Sequence, residues 1–282
     1  MKNKWLAAPY VVWMAIFVVA PLILVVVFAF TGQDGSITLD NFSNMGTYVP
    51  AFRNSFILAF VATAICILIG YPLAYFLSRE KLMVRKVAMM LIMLPMWMNF
   101  LLRTYAWMSI LDDNGLINQF LSAIGFFDLW NAIFGTNLTC FHMINTQGAI
   151  VLGMVYNFLP FMVLPIFSVI DKIDPKVIEA AQDLGASSSM VFRKVIFPLS
   201  LPGVLSGVTM VFIPSVSTFA LSRLLGGGKT LLLGDLIEMQ FLGNAYNPHL
   251  GSAIALVMMV IVLILMAIMN RFGEGEEGVA VL

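Results

Sequence analysis

The stretch that decides the architecture is DPKVIEAAQDLGASSSMVFRKVIFP, residues 174–198. Asp174 is a capping residue followed by Pro175 at the first helical position, and Gly185 stands where a helix ends in a left-handed residue. Ser187 is then placed to cap a second helix. In the first piece, from Pro175 to Leu184, Val177, Ile178 and Ala181 share one face, with Glu179, Gln182 and Asp183 elsewhere on its surface. A two-helix elbow with small residues can pack closely into another protein's groove. The elbow is a polar island between two charge-free apolar runs, residues 148–170 and 202–222.

The same alternation extends over the whole chain. Of 282 residues, 61% are hydrophobic and 11% charged, against about 25% charged in an ordinary soluble domain. Mean hydropathy is +0.96. This composition excludes a cytosolic enzyme, a disordered chain and a nucleic-acid binder. At about 20 apolar residues per bilayer crossing, the apolar runs predict six spans near residues 6–30, 56–77, 87–111, 148–170, 202–222 and 251–269. The first is too long for a signal peptide's apolar region and has no small-residue cleavage pattern after it. Gly70-Tyr71-Pro72 predicts a kink near the end of the second. Too few residues separate Lys86 from Arg103 for a crossing, so the third is expected to continue as one helix through Arg103 to about Leu111.

Basic residues in short loops set the orientation. Of the 15 Lys and Arg, all but Arg53, Arg103, Arg223 and Lys229 fall on the side of the two termini, which predicts both termini in the cytoplasm. Segments 31–54, 112–147 and 223–250 then face outward, and residues 171–201 form the largest cytoplasmic loop. The expected protein is all-α, one transmembrane domain over residues 1–282 in a cell membrane, with any energy source on another chain.

The spacing Glu179-Ala180-Ala181, three residues, Gly185, nine residues, Val195-Ile196-Phe197-Pro198 resembles the signature loop of permease subunits of type I ATP-binding-cassette importers. Val195 and Phe197 are apolar substitutions in that pattern. The resemblance covers nearly the whole chain and is closest to the first permease subunit of the spermidine/putrescine branch. It is carried by residues 70–77 (GYPLAYFL), 94–99 (LPMWMN), 102–105 (LRTY), 159–162 (LPFM), 181–187 (AQDLGAS), 225–229 (LGGGK) and 239–242 (MQFL). It implies that the loop is the coupling helix, seated in a cleft of an ATPase subunit. Glu179 would make polar contacts there, Ala180 and Ala181 would permit close approach, Gly185 would form the elbow and Pro198 would close the motif. It further implies a second homologous permease, an ATPase dimer that uses ATP and Mg, and an extracytoplasmic substrate-binding protein, with no cofactor and no enzymatic activity on this chain. Relatives in the branch import other small organic ions or iron, which stay open as substrates. A stand-alone channel or ion-coupled carrier would need charges at the bilayer midplane; apart from Arg103 the expected spans have none.

A polyamine requires carboxylates for its ammonium groups and aromatic faces for its stem. The outward half offers Asp112, Asp113, Asp235 and Glu238, with Trp97, Tyr105, Trp107 and Tyr156. Asp235 and Glu238 are three apart and share a helix face; solvated loop carboxylates are the plainer alternative. Trp97, Asn99, Tyr156, Asn157, Asp235 and Glu238 are the candidate path residues. Arg103 is expected to pair with an acid such as Asp112, to meet the binding protein, or to snorkel to the interface. Ser206, Thr209, Ser215, Ser217, Thr218 and Ser222 suggest hydrogen bonds between helices, and Pro214 a hinge. Gly226-Gly227-Gly228-Lys229-Thr230 ends like a phosphate-binding loop, but Arg223 stands where its first glycine should be. Cys66 and Cys140 form no disulfide or zinc framework, and His142 and His249, far apart in sequence, give no metal-ligand spacing.

Overall fold

The computed structural model describes residues 8–243 and 246–277. The expected start of the first span, Lys2 and Lys4, and the last residues of the chain lie outside them. Nearly everything described is helical; the extended pairing among the described residues is an isolated bridge between Thr31 and Ile37. The long helices are α1 (Pro9–Ala29, with a π turn at Ala15–Val19) and α2 (Val49–Ser78). Next come α3 (Leu82–Met93), α4 (Phe100–Leu111), and the short α5 (Leu116–Ala123) and α6 (Phe126–Phe134). They are followed by α7 (Gln147–Ile170), α8 (Pro175–Asp183), α9 (Ser188–Val216), α10 (Ala220–Leu224), α11 (Leu233–Leu242) and α12 (Pro248–Glu277).

The core of the bundle is α2, α7 and α9, each packed on the other two. Small residues set the spacing. A Cβ on Gly70 would lie 3.0 Å from Met162 Cγ, one on Gly203 2.9 Å from the Pro165 carbonyl oxygen, and one on Gly207 2.7 Å from Met162 Sδ. Where lipid surrounds a bundle, helices associate through such close packing rather than through a hydrophobic drive. Tyr71 and Ser200 add a buried hydroxyl pair at 2.8 Å between α2 and α9. Outside this core, α1 packs on α12, and no part of the α1 apolar window is buried. Its exposed Trp13, Phe17 and Ile23 are surface suited to acyl chains.

Two expectations are corrected. The segment 87–111 is not one helix: Leu82–Trp97 and Phe100–Ala123 meet at 95°. Pro95 has no N–H to continue α3, Leu94–Trp97 tightens to a 3-10 turn, and Met98 and Asn99 are extended. The Asn99 side chain then accepts the Leu101 N–H at 2.9 Å and the Leu102 N–H at 3.3 Å, which starts α4 afresh. Five helices are therefore individually long and apolar enough to cross a membrane, or six if the bent pair counts as one. Pro72, where the sequence predicts a kink, lies inside α2, which stays helical from Val49 to Ser78.

The second correction concerns residues 188–222. Helix α9 begins at Ser188, where Ser187 is placed to cap a second helix, but it runs on without a break into the expected fifth span and stops at Val216, so Ser222 belongs to the separate α10. Its hydroxyls mostly serve their own helix: Thr209 donates to Leu205 O at 2.9 Å, Ser215 to Val211 O at 2.7 Å and Ser217 to Ile213 O at 3.2 Å. Back-bonding of this kind hides a hydroxyl without joining helices.

Gly203→Ala should lower the thermal midpoint of the protein in detergent by an overpacking cost of roughly 1–3 kcal/mol, because its Cβ meets backbone that cannot move aside. Gly148→Ala, whose Cβ would find only Thr146 Oγ1 at 3.6 Å, should leave the midpoint unchanged. Equal midpoints for the two variants would refute the close-contact role of Gly203.

Candidate functional site

The elbow at residues 171–198 is built from local capping. Asp174 Oδ1 accepts the Lys176 N–H at 3.0 Å and Pro175 opens α8. At the other end Gly185 has φ +82°, its N–H donates to Gln182 O at 2.8 Å, and the Ala186 N–H donates to Ala181 O at 3.1 Å. These paired bonds are a Schellman turn, and they need a left-handed residue where glycine alone carries no steric cost. Ser187 Oγ then accepts the Met190 N–H at 3.4 Å, starting α9.

One side of α8 is anchored and the other is free. Ile178, Ala181 and Ala186 pack against the cluster of Tyr71, Ile170, Val191 and Ile196 at this end of the bundle. Glu179, Ala180, Gln182 and Asp183 are exposed, and Val177 is 45% exposed rather than sharing the anchored face. Leu184 at the tip is 90% exposed. Nothing in the sequence marks it, since a leucine before a helix-ending glycine ordinarily covers a core. An ion pair between Arg85 and Asp171 holds the start of the elbow to α3, with the Arg85 guanidinium 5.7 Å over the Phe167 ring. At the far end the Phe197 N–H bonds to Phe192 O in a π turn, and Pro198 follows directly. The register change lets α9 continue past a residue that has no N–H.

The path candidates fall into separate settings. Trp97 lies 78% exposed at the bend, and Asn99 is committed to capping α4. Tyr156 stands edge-on to Trp107 at 5.3 Å, with the Arg103 guanidinium 6.0 Å from its ring centre. Arg103 is 9% exposed and does not snorkel; among the described residues its Nε and Nη1 have no hydrogen-bond partner, and it makes no ion pair with Asp112, whose Oδ1 instead takes the Asn114 N–H at 3.1 Å. Asn157, the next residue on α7, is buried and donates to Gly153 O at 2.7 Å, while its Oδ1 is unpartnered among the described residues.

Asp235 and Glu238 share α11 but not an environment. Asp235 is buried; its Oδ2 accepts from the Ser222 hydroxyl and from the Leu232 N–H at 3.3 Å, and burial pushes its carboxyl above the usual carboxylate range. Glu238 forms a two-pronged ion pair with Arg223 nearer the surface. Both carboxylates thus fasten α11 to α10. Ser55 on α2, directly after Arg53 and Asn54, holds α11 from another side by accepting the Leu233 N–H at 2.8 Å. The triple glycine is a packing turn: Gly227 and Gly228 have φ +60° and +68°, and a Cβ on Gly227 would sit 2.3 Å from Asn145 Oδ1. It follows the helix α10 and not a strand, so it lacks the setting of a phosphate loop.

Long apolar helices around a tight three-helix core, with a capped elbow exposed at one end, have the build of a multi-pass membrane protein. The chain belongs to the family of binding-protein-dependent transport system inner membrane components, whose profile matches residues 2–274. It is 35% identical over 267 residues to the spermidine/putrescine transport system permease protein PotB of Haemophilus influenzae, covering 92% of this chain and 90% of that protein. The PotB protein of Escherichia coli is 34% identical over 257 residues, covering 88% and 90%. Among solved structures, a bacterial ABC transporter that imports the acidic polysaccharide alginate superposes with a TM-score of 0.80 at 17% identity, over 98% of this chain and 97% of that one. The same kind of transporter in complex with an alginate pentasaccharide-bound periplasmic protein gives 0.78 at 18% identity, over 96% and 94%. These relatives are permeases, and this chain is likewise a transport subunit and not an enzyme.

The open space around Gly185 separates conformation from charge, since a Cβ there would meet nothing within 4 Å. Gly185→Asn, which tolerates the left-handed region, should keep most transport activity. Gly185→Val should lose it through a backbone penalty of about 1–2 kcal/mol, and Gly185→Asp through the added charge on the exposed face. All three should reach the membrane. Uptake by cells carrying the full transporter reads the difference, and normal uptake in the Asp and Val variants would remove the elbow from the mechanism.

Proposed function

We propose that this chain is one of two homologous permease subunits of an ATP-driven, binding-protein-dependent importer of polyamines, spermidine or putrescine, and that α8 is its coupling helix. The observation that carries the coupling role is the anchoring of the elbow. Capped at both ends and packed through Ile178 and Ala181 onto the α2/α7/α9 core, α8 behaves as a rigid lever whose outer face is free. In this mechanism Glu179, Ala180 and Leu184 enter a cleft of an ATPase subunit. The ATPase dimer uses ATP and Mg, and its closure moves α8 together with the ends of α7 and α9. The two permeases then open outward, a loaded binding protein delivers substrate, and hydrolysis restores the inward state. The termini and the elbow are on the cytoplasmic side, and residues 112–147 face outward.

The polyamine assignment is supported by the spermidine/putrescine transport role named for the PotB relatives. A polycation passing between the permeases would use the Tyr156 face and the carboxylates of Asp235 and Glu238. Arg103 favours a second substrate class. A buried guanidinium with two nitrogens unpaired among the described residues suits a small organic anion, and unless the second permease supplies its partner it repels a bare cation path.

Cells that carry the complete assembly should accumulate radiolabelled spermidine or putrescine in an ATP-dependent way. Accumulation of an unrelated solute, with no polyamine transport, would overturn the assignment. Asp235→Asn and Glu238→Gln should each raise the KM for polyamine uptake severalfold at normal membrane abundance. Unchanged kinetics would leave both residues with their bracing role alone.

A further inference from the structure

Outside the elbow and the path, one cluster of chemically able side chains stands apart. The carboxylate of Asp113, the thiol of Cys140 and the imidazole of His142 place one ligand atom each within 4.8 Å of one another, and His142 Nδ1 is 2.9 Å from Asp113 Oδ1. Sequence spacing hid this, because Asp113 lies in the turn after α4 and the other two in the strap before α7.

The backbone that holds them is locked from beneath. Asn118, buried on α5, donates to Asp112 O at 3.1 Å and to Phe141 O at 3.0 Å, and its Oδ1 accepts the Phe141 N–H at 2.9 Å. One side chain therefore clamps the residue before Asp113 and the residue between Cys140 and His142. The Phe141 ring packs on Phe127 at 5.5 Å and on Phe126 at 6.0 Å. With Phe141 turned into that aromatic cluster, its two neighbours are presented together toward Asp113. The turn itself is tight, with the Gly115 N–H bonded to Asp112 O at 2.8 Å. An open groove of about 460 Å³, lined by Asp113, Asn114, Gln119, Thr139 and Cys140, leaves room for water beside the ligands.

We infer that Asp113, Cys140 and His142 form a binding site for a divalent zinc-type ion, with water as the fourth ligand. One thiolate, one imidazole and one carboxylate suit zinc, which takes sulfur, nitrogen and oxygen in a tetrahedron. Bond lengths of about 2.0–2.3 Å put tetrahedral ligand atoms roughly 3.4–3.7 Å apart, so side-chain adjustments of about 1 Å complete the site. The Cys140 thiol loses its proton to solvent as the metal–sulfur bond forms, and His142 exchanges its bond to Asp113 for one to the metal. The bound ion ties the strap before α7 to the turn after α4, in place of the His142–Asp113 contact and in addition to the Asn118 clamp. This site depends neither on the polyamine assignment nor on the coupling role of α8.

The test uses the full-length, untagged protein in detergent, in a Cys66→Ser background, with zinc chloride as the probe. Zinc should bind at one ion per chain, raise the thermal midpoint, and slow maleimide alkylation of Cys140 at least tenfold. Cobalt in its place should give a thiolate-to-metal charge-transfer band. His142→Ala, at a side chain 75% exposed to solvent, and Asp113→Asn should each weaken zinc binding at least tenfold without lowering the midpoint of the metal-free protein. Zinc stoichiometry that survives Cys140→Ser, or alkylation protection that is equal in wild type and His142→Ala, would overturn the site.

Discussion

Everything in this bundle depends on how closely α9 can approach α7. Gly203 and Gly207 lie against Met162, Pro165 and Ile166 at distances that leave no room for a single carbon atom. In lipid, water exclusion does not press helices together, so dispersion between tightly fitted surfaces has to do so. Gly70 brings α2 against the same stretch of α7, which makes Met162 a shared contact of all three core helices. The third element of the sequence order, α3 with α4, takes no comparable part; it is bent where the core helices are continuous.

The elbow inherits its stiffness from that contact. It connects the end of α7 to the start of α9, two of the three core helices, and its inner residues Ile178, Ala181 and Ala186 rest on the side chains that close the core at this end. The capping bonds of Asp174, Gly185 and Ser187 satisfy backbone groups that would otherwise seek water, so α8 keeps its shape while remaining almost wholly exposed. A short helix of this kind has little stability of its own. It is held as part of its neighbours, and moves when they move.

Much of this was legible in the sequence because capping is local. Asp174-Pro175, Gly185 and Ser187 act on groups within four residues of themselves, and the structure shows each in the role its type suggests. The helices α2, α7 and α12 were visible for a similar reason, as long runs without charge. Reading length alone failed at residues 94–99, where Pro95 and Asn99 carry break and restart signals that a count of apolar residues overrides. It failed again after the elbow, where the helix that Ser187 caps is not short: a π turn at Phe192–Ile196 carries it straight into the fifth span. The site chemistry was hardest to see. The pairing of Asp235 with Ser222, the burial of Arg103 over Tyr156, and the meeting of Asp113 with Cys140 and His142 all depend on contacts between separate elements. Residue type and spacing do not encode such contacts.

The pairing of α1 with α12 has a consequence for how the protein is made. Of the described helices α1 emerges first from the ribosome and α12 last, yet each is a principal neighbour of the other. For the whole of synthesis α1 must therefore reside in the bilayer without its partner. Its mean hydropathy of 3.0, matched by that of α12, lets it wait there as an independent segment, whereas α7 and α9, at 2.0 and 1.9, carry more polar groups and become adjacent as soon as α9 is complete. Assembly of the permease thus runs from the inside outward, with the oldest helix the last to find its place.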